Sequence, residues 1–539
     1  MITRLIRLLF LFPLLASISP TTESTKIVDS VVKEASTQLV IDISRTVATV
    51  EDYFLCATLD WWPPSKCDYG WCPWGNAGIT NLDPENPRLQ KALEGLAPFM
   101  VRIGGTLQDL VVYEIGNLRP SEPCVPFARN ESALFSFTGG CLSMERWDAI
   151  NQLFMKTGIY AAFGLNALYG RSKSPLEVQV KTPWDSSNAK NFIRYTRDRH
   201  YPVIAWELGN ELLGTGTGKS VSPELYAEDT KKLRNIIDNV YEGDASKPAL
   251  VAPDSFFDVG NHFIPRFLRA SGTGVVDVIT RHIYNLGPGV TDTNVLINKV
   301  LDLTTAKREY DKYKSLETLL KDQPKTTAWV GESGGAYNSG HENVTNAFIM
   351  AFWYLDQLGT ASKYNNQAFC RQSFVGGFYG LLDLDFNPNP DYYGALLWRQ
   401  LMGKGVFVVD VDEAANDIRA YAHCQRISTP VKGGLTLLVL NYSNQTTYHL
   451  NLSLLDSSGS YNIPGQSDVR LEYHMSAPNG DPTSRTVLLN DQPLLVTPSG
   501  EIPRLSPVKV DSAAPISLAP LTYAYVVVSH ASIPACGAA

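Results

Sequence analysis

Eight short apolar segments alternate with helix-like segments between residue 52 and about residue 400, and this order restricts the possible folds. One intervening segment is SPELYAEDTKKLRNIIDNVY, in which Ser222 is predicted to cap a helix and Pro223 to occupy its first turn. Eight strand–helix units predict an α/β fold, a (β/α)8 TIM barrel over residues 52–404. The predicted strands are FLCATLD (54–60), FMVRIGG (99–105), YAAFGLNA (160–167), VIAWELGN (203–210), ALVAPDS (249–255), VVDVITRHIY (275–284), TTAWVGESG (326–334) and SFVGGFYGLLD (373–383).

The chain after the predicted barrel follows a different pattern. Over residues 405–539, runs such as LTLLVLNYS and LTYAYVVVSH are rich in β-formers and are separated by turn residues. This pattern predicts a C-terminal β-sandwich domain. The segment 25–51 contains TQLVIDISRTVATV, which is also β-like. We therefore expect N-terminal strands from 25–51 to join the sandwich.

Polar residues gather at the C-terminal ends of the predicted barrel strands. The active site of a (β/α)8 barrel is built at these ends, so the clustering indicates a site there. One such residue alone would more often be a cap or a loop group. The residues are Asp60, Arg102, Asn166, Asn210, Glu211, Asp254, His282, Glu332 and Tyr379.

The segment WELGNEL places two glutamates at the end of the fourth predicted strand. Alternation along a strand puts Glu207 and Glu211 on one face, with Glu211 nearer the mouth of the barrel. Glu207 lies deeper, where we expect it to pair with Arg102. The segment WVGESGG places Glu332 at the end of the seventh strand. Two carboxylates that face each other across a barrel mouth are typical of a glycosidase.

Several motifs occur together in a characteristic order, and with them the chain resembles the plant-type heparanase-like proteins of glycoside hydrolase family 79. The resemblance implies a retaining mechanism in which Glu211 is the proton donor and Glu332 the nucleophile, about 5 Å apart. A charged Glu332 would raise the pKa of Glu211 and keep it protonated. The motifs are MVRIGGT (100–106), FGLNAL (163–168), WELGNE (206–211), TRHIY (280–284), GESGGAY (331–337), DFNPNPDYY (385–393) and the C-terminal YAHC and PAC.

The resemblance also implies β-linked glucuronic acid as the substrate and assigns binding residues. Asn210 would bind the 2-hydroxyl of the sugar, and Tyr284 would contact the nucleophile. In relatives, a tyrosine after the eighth strand and backbone amides after the seventh bind the uronic-acid carboxylate. Tyr379 matches that tyrosine, and the amides fall at 337–340, where a relative carries consecutive glycines. The other implied contacts are Asp60 and Thr106 in the sugar pocket and Tyr337, Asn338 and Ser339 in the amide turn.

The charge pattern restricts the classes of partner and substrate that the protein can bind. The 46 basic and 54 acidic residues give a net charge of −8 without a basic stripe, which argues against nucleic acid and anionic membrane surfaces. Few lysines or arginines lie near the strand ends, whereas a densely sulfated polymer calls for clustered cations. We therefore favour a glucuronide that is not highly sulfated, either terminal glucuronic acid on a plant-type glycan or a glucuronidated small molecule. With the resemblance, the expected activity is that of a β-glucuronidase, and we expect it to be exo-acting. An endo-acting, heparanase-like depolymerase and a catalytically silent carbohydrate-binding protein are the alternatives.

The N-terminus has the order of charges and apolar residues that is typical of a secretory signal peptide. Arg4 and Arg7 precede an apolar run at 8–15, and small residues follow at 16, 17 and 19. This predicts a signal peptide over 1–24 and secretion to the extracellular space, the cell wall or a vacuolar-lysosomal compartment. The apolar run is too short to span a bilayer, so no integral membrane segment is expected.

Cysteines and glycosylation motifs agree with a secretory route. The eight cysteines are even in number, which favours disulfides. Cys67 and Cys72 lack a second ligand pair, so no metal is predicted, and two-glutamate chemistry requires no cofactor. The resemblance pairs Cys424 with Cys536, whereas pairing Cys124 with Cys141 rests only on their closeness in sequence. Sequons occur at Asn130, Asn343, Asn441, Asn444 and Asn451.

Overall fold

The computed structural model describes residues 32–214, 216–258, 260–426, 433–462, 469–529, 531 and 533–537, so the predicted signal peptide lies outside the described residues. Eight parallel strands close into a barrel in which each strand pairs with the next along the chain and the eighth pairs with the first. This arrangement confirms the predicted (β/α)8 barrel. The strands are Leu55–Asp60, Phe99–Gly104, Ile159–Leu165, Val203–Leu208, Ala249–Val251, Val278–Ile283, Thr327–Ser333 and Asn366–Arg371.

Helices of the described chain follow the barrel strands and bury their apolar faces. In the helix Pro223–Val240, the Ser222 side chain accepts a hydrogen bond from the backbone of Leu225, as the N-cap prediction requires. No described helix is both long and apolar enough to cross a membrane. The helices are Pro87–Leu96, Met144–Thr157, Ser187–Asp198, Pro223–Val240, Phe263–Ser271, Thr293–Leu301, Leu303–Leu320, Met350–Lys363 and Pro390–Leu401.

The eighth barrel strand is not where the apolar pattern predicts it. The strand is Asn366–Arg371, and the predicted segment 373–383 forms a loop beyond its end. Gly376 and Gly377 in this loop have φ angles of 85° and 64°, a left-handed backbone that interrupts an extended strand. The prediction for 373–383 is therefore wrong. The consequence is that Tyr379 lies on a loop above the barrel.

The C-terminal part of the chain is rich in β-structure and fits a sandwich. The strand Lys33–Asp42 belongs to a sheet of this C-terminal region. It pairs in parallel with Thr446–Leu455 and antiparallel with Met402–Val411. The longer strands of this region are Met402–Val411, Ile418–Gln425, Leu435–Asn441, Thr446–Leu455, Val469–Ser476 and Thr522–Val528. These strands place the N-terminal segment of the described chain against the C-terminal region.

Alternation along one sheet strand joins the two parts of the molecule. In Leu435–Asn441, Leu437 and Val439 pack into the core of the C-terminal region, whereas Leu438 and Leu440 pack into the core that the barrel helices share. Both faces of this strand are therefore buried, and the C-terminal region is fixed against the barrel. Four disulfides link Cys56 to Cys370, Cys67 to Cys72, Cys124 to Cys141 and Cys424 to Cys536.

Candidate active site

A cavity of about 690 Å³ opens at the C-terminal ends of the barrel strands. The loops that follow the strands supply its walls, as expected for this fold. Of the sequence-predicted site residues, Asn210 is buried outside the lining. The predicted residues that line the cavity are Asp60, Thr106, Glu211, Tyr284, Glu332, Tyr337, Asn338, Ser339 and Tyr379. Further residues that line it, for which the sequence suggested no role, are Trp62, Lys66, Asp68, Trp74, Phe135, Ser136, Gly216, Thr217, Phe256 and Gln372.

Glu332 lies on the seventh strand with both carboxylate oxygens held. Arg102 donates from Nη1 to Oε2 of Glu332 at 2.9 Å. The hydroxyl of Tyr284 donates to Oε1. The glutamate side chain is 10% exposed and faces the cavity. An ionised carboxylate fixed in this way is suited to nucleophilic attack on a bound sugar.

Glu211 follows the fourth strand in a left-handed conformation with φ of 54°. Its backbone N–H donates to the carbonyl of Asp254 at 2.8 Å, which fixes the turn. Its Oε1 lies 2.7 Å from Nδ1 of His282. Gly216 has a φ angle of 78°, and a Cβ added there would lie 2.0 Å from Oε2, so glycine at this position permits the backbone to approach this carboxyl group.

The two cavity glutamates lie close together. An oxygen of Glu211 and an oxygen of Glu332 are within 4.8 Å of each other. Burial raises the pKa of Glu211, and the charges of Glu332 and Asp254 raise it further, while His282 opposes them. Glu211 therefore favours the protonated form beside an ionised neighbour. This is the division of roles that a proton donor and a nucleophile require.

Arg102 is the centre of the ion-pair network beneath the cavity. It donates from Nε to Glu207 at 3.0 Å and from Nη2 to Asp254 at 2.5 Å. The first contact is the Arg102–Glu207 ion pair that the sequence predicts. Nη2 also donates to Oδ1 of Asn210 at 3.0 Å, so the asparagine amide is oriented from below the cavity.

His282 connects Glu211 to this network, a role that sequence reasoning missed. Its Nε2 lies 2.9 Å from Oδ1 of Asp254, on the opposite side of the ring from Glu211. Burial alone would lower the pKa of His282, but Asp254, Glu332 and the hydrogen bonds to Asp254 and Glu211 raise it well above its usual value. The protonated imidazole can then donate to both carboxyl groups. The sequence signal for this role is the spacing of His282 and Tyr284. Two positions apart at the end of the sixth strand, their side chains are expected to point to the same side.

Asp60 and Gln372 form a second polar group on the cavity wall. Gln372 donates from Nε2 to Oδ2 of Asp60 at 2.9 Å and accepts from the hydroxyl of Thr58 through Oε1. Burial and the charge of Glu332 raise the pKa of Asp60 to about 8. Asp60 is therefore largely neutral at pH 7 and can donate a hydrogen bond to a sugar hydroxyl.

The turn after the seventh strand has an unusual backbone. Asn338, Ser339 and Gly340 have φ angles of 59°, 68° and 75°, three successive left-handed residues. No described residue accepts a hydrogen bond from the backbone N–H of Asn338 or Ser339. Successive backbone N–H groups in such a turn form a concave site that attracts anions. The turn therefore offers donors to a carboxylate at the cavity wall.

Among the described residues, two groups of side chains have donor atoms close enough together to hold a metal ion. Glu211, His282 and Glu332 have donor atoms within 4.8 Å of one another. Both nitrogens of His282 already face carboxylates, and the Arg102 cation contacts Glu332, so this group is already balanced as an ion-pair network. The second group consists of Glu114 with Cys124 and Cys141, whose sulfurs form a disulfide and provide no thiolate.

The sequons differ in their surroundings. Asn130, Asn343 and Asn444 are exposed, and Asn451 is half-buried. Asn441 is fully buried, and its Nδ2 donates to the carbonyls of Thr446, Leu518 and Ala519. That nitrogen is the atom to which a glycan would be attached. The expectation of a glycan at Asn441 is therefore incompatible with the folded chain, because a sequon carries no information on burial.

The barrel and its paired carboxyl groups define the chain as a glycosidase. The family model described as glycosyl hydrolase family 79, N-terminal domain, matches residues 36–359. The chain belongs to glycoside hydrolase family 79.

Relatives over nearly the full length agree with this family. The chain is 43% identical over 524 residues to heparanase-like protein 2 of Arabidopsis thaliana, covering 93% of this chain and 95% of the relative. It is 38% identical over 519 residues to the baicalin-beta-D-glucuronidase of Scutellaria baicalensis, covering 92% and 93%. A solved 4-O-alpha-L-rhamnosyl-beta-D-glucuronidase from Fusarium oxysporum has a TM-score of 0.60 at 14% identity, covering 90% of this chain and 99% of that one. The last similarity supports the fold.

Proposed function

We propose that this chain is a secreted, retaining β-glucuronidase that removes terminal glucuronic acid from a glycan or a small-molecule glucuronide. The observation that carries the proposal is the closeness of Glu211 and Glu332, whose oxygens come within 4.8 Å. Retaining glycosidases hold their carboxyl groups about 5–5.5 Å apart, whereas inverting enzymes need about 6.5–9.5 Å to admit a water molecule.

The first chemical step uses both glutamates at once. Glu332 attacks the anomeric carbon of the sugar while Glu211 donates its proton to the oxygen of the leaving group. The C–O bond to the leaving group breaks, and a covalent glycosyl ester forms on Glu332. In the second step, Glu211 removes a proton from water, and that water displaces Glu332. Two displacements retain the configuration at the anomeric carbon.

The electrostatics of the site support this exchange of roles. In the free enzyme, burial and the charge of Glu332 raise the pKa of Glu211, so that it holds the proton to be donated. Once Glu332 is esterified, its negative charge is gone, and the pKa of Glu211 should fall. Glu211 is then better suited to act as a base. In the free enzyme, Arg102 and Tyr284 orient the carboxylate of Glu332 for attack on the sugar.

Recognition of the uronic-acid carboxylate is assigned to neutral donors. Burial raises the pKa of Tyr379 well above its usual value, so its hydroxyl stays protonated and can donate. The free N–H groups of Asn338 and Ser339 supply further donors on the same cavity. Sugar hydroxyls would be bound by Asp60 and Thr106, which line the cavity. Asn210 is buried outside the lining and held by Arg102, and it is the contact that the family resemblance assigns to the 2-hydroxyl.

Exo action on a substrate of low sulfation is supported by the cavity wall. Among the described residues that line the cavity, Lys66 is the only cation, and it pairs with Asp68 at 2.8 Å. A chain of sulfate groups would find little compensating charge there. The Cys67–Cys72 loop also contacts the amide turn, and its residue Asp68 lines the cavity. Secretion is supported by the four disulfides, which form in oxidising compartments.

The test is product analysis with purified protein. An aryl β-glucuronide should be hydrolysed, and proton NMR of early product should show the β-anomer first. A polysaccharide with terminal glucuronic acid should release the free sugar. Glu332→Gln is the inactive control, and Glu342→Gln, at an exposed glutamate outside the cavity lining, is the matched active one.

Each other outcome has a definite meaning. Release of oligosaccharides with little free glucuronic acid would establish the endo-acting depolymerase instead. The α-anomer as first product would refute the retaining mechanism. Binding of glucuronides without turnover would leave the carbohydrate-binding protein, an outcome that the complete network around both carboxyl groups argues against. For secretion, recovery of a protein from the cell surface or medium that still contains residues 1–24 would refute the signal-peptide proposal.

A further inference from the structure

We propose that Asp68 is a positioning residue for glucuronide specificity and acts through Ser339. The inference rests on the proposed function, because the amide turn at 338–340 is taken there to bind the carboxylate of the sugar. Asp68 belongs to the loop that the Cys67–Cys72 disulfide closes. This loop has no role in the two-glutamate chemistry, yet it contacts the amide turn through two side-chain hydrogen bonds.

The disulfide-closed loop is a small, rigid hairpin. Backbone hydrogen bonds run from Asp68 to Trp71 at 2.8 Å and back at 2.9 Å. Tyr69 and Gly70 occupy its tip with φ angles of 55° and 89°. The ring of Trp71 packs edge-on against His341, whose centroid is 6.3 Å away. The position of Asp68 is thus fixed by the disulfide on one side and by the chain after the amide turn on the other.

Asp68 and Tyr69 each hold one residue of the amide turn. The hydroxyl of Ser339 donates to Oδ2 of Asp68 at 2.5 Å and accepts from Nε1 of Trp74 at 2.9 Å. Asn338 donates from Nδ2 to the hydroxyl of Tyr69 at 2.8 Å. With its hydrogen bond donated to Asp68, the side chain of Ser339 has no donor left for substrate. The contribution of this residue to binding is therefore its backbone N–H.

The turn needs such support because two of its residues have side chains. A left-handed backbone is unfavourable for residues that carry a Cβ atom, and both Asn338 and Ser339 adopt it. A turn made of glycines would adopt this conformation without a steric cost, but it would also adopt other conformations without a steric cost. Hydrogen bonds that Ser339 donates to Asp68 and Asn338 donates to Tyr69 favour the one conformation in which the amides of 338 and 339 stay available at the cavity. The carboxylate of Asp68 therefore stabilises the left-handed conformation that Ser339 requires.

Asp68 would repel a bound carboxylate if its charge were uncompensated. Lys66 lies 2.8 Å from Oδ1 of Asp68, and its ammonium group sits 4.3 Å from the centre of the Trp62 ring. The pair is partly buried, with side chains 19% and 11% exposed. Lys66 therefore neutralises Asp68, and Asp68 can orient Ser339 without opposing an anionic substrate.

The test compares an aryl β-glucuronide with the matching β-glucoside, which lacks a carboxylate. Asp68→Ala should lower the ratio of kcat/KM values, glucuronide over glucoside, about 10-fold, chiefly through a higher KM for the glucuronide. Ser339→Gly in the Asp68→Ala background should restore most of the ratio, because glycine adopts the left-handed turn without support. The double variant Cys67→Ala/Cys72→Ala should lower the ratio in the same direction.

Two controls separate positioning from general loss of stability. Asp302→Ala removes a helix cap outside the cavity lining and should leave the ratio unchanged. Asp68→Asn retains an acceptor oxygen, so it should fold and lower the ratio less than Asp68→Ala. An unchanged ratio in Asp68→Ala would overturn the inference, and so would failure of Ser339→Gly to rescue, because Asp68 would then contact substrate directly. A wild-type protein without preference for the glucuronide would instead overturn the proposed function.

Discussion

His282 and Tyr284 lie two positions apart at the end of the sixth barrel strand, and each contacts one of the two cavity glutamates. His282 lies 2.7 Å from an oxygen of Glu211, and the hydroxyl of Tyr284 donates to Glu332. Strand alternation places both side chains on the inner face. The end of one strand therefore orients both Glu211 and Glu332, so the relative position of the two carboxyl groups depends on very few backbone dihedrals.

Substitution of either cavity glutamate should separate their roles. Glu332→Gln should reduce turnover on the order of 10³-fold or more on any glucuronide, because an amide cannot form the glycosyl ester. Glu211→Gln should cost about 10²- to 10⁴-fold with a poor leaving group and much less with an activated aryl group, which needs little protonation. Steady-state kinetics on a leaving-group series give the comparison, with circular dichroism as the folding control. Near-wild-type activity of either variant on an unactivated substrate would contradict the assignment.

Removal of His282 should change the pH dependence. His282 lowers the pKa of Glu211, so His282→Gln should raise that pKa. Because the enzyme needs Glu211 protonated, activity is lost as pH rises through this pKa, and the alkaline limb of kcat/KM should move to higher pH. The maximal kcat should fall, since Oε1 loses its orienting partner. Asp254 and Glu332 remain in the variant, and their charges also raise the pKa of Glu211. A shift of the alkaline limb to lower pH would contradict this account.

Glu207 should matter for stability and far less for chemistry. It forms a buried ion pair with Arg102, and both side chains are 2% exposed. Glu207→Gln leaves the guanidinium with one charged partner fewer and should lower the free energy of unfolding by about 2 kcal/mol. Denaturant titration measures this change, and kinetics well below the melting temperature measure activity. Loss of activity with unchanged unfolding would show that Glu207 takes part in the reaction.

The Cys424–Cys536 disulfide should be a major source of stability in the C-terminal region. It closes a loop with a sequence separation of 112 residues, for which the chain-entropy model gives about 4.8 kcal/mol. The same model gives only about 2 kcal/mol for Cys67–Cys72, with a separation of 5. The double variant Cys424→Ala/Cys536→Ala should therefore lower the melting temperature more than Cys67→Ala/Cys72→Ala does. The reverse order in calorimetry would contradict the entropic argument.

Local periodicity explains why the sequence predicts the catalytic pair and the barrel. Glu211 and Glu332 occupy strand ends, and strand ends follow from apolar segments and alternation. The same signal fails at 373–383, where apolar residues surround glycines that form a loop. Apolar composition shows that a segment is buried, but it does not distinguish a buried loop from a strand.

Contacts between distant segments account for what the sequence does not reveal. Asp68 and Ser339 are 271 residues apart, and they meet because a disulfide-closed hairpin lies over the turn after the seventh strand. No periodic pattern encodes such a pairing. The even number of cysteines predicted disulfides, without indicating that Cys67 pairs with Cys72 or which side chains such a bridge would bring to the cavity.

Tyr379 provides the most direct test of carboxylate recognition. It is buried at the cavity wall and packed edge-on against Trp74, with ring centroids 6.2 Å apart. A neutral donor to an anion contributes about 1.5–3 kcal/mol, so Tyr379→Phe should lower kcat/KM on an aryl β-glucuronide about 10- to 100-fold. The phenylalanine ring preserves the packing, which should keep folding intact. The matching β-glucoside has no carboxylate and should lose far less. Equal losses on both substrates, measured by steady-state kinetics, would assign Tyr379 to packing and leave the retaining glycosidase without a uronic-acid contact at this position.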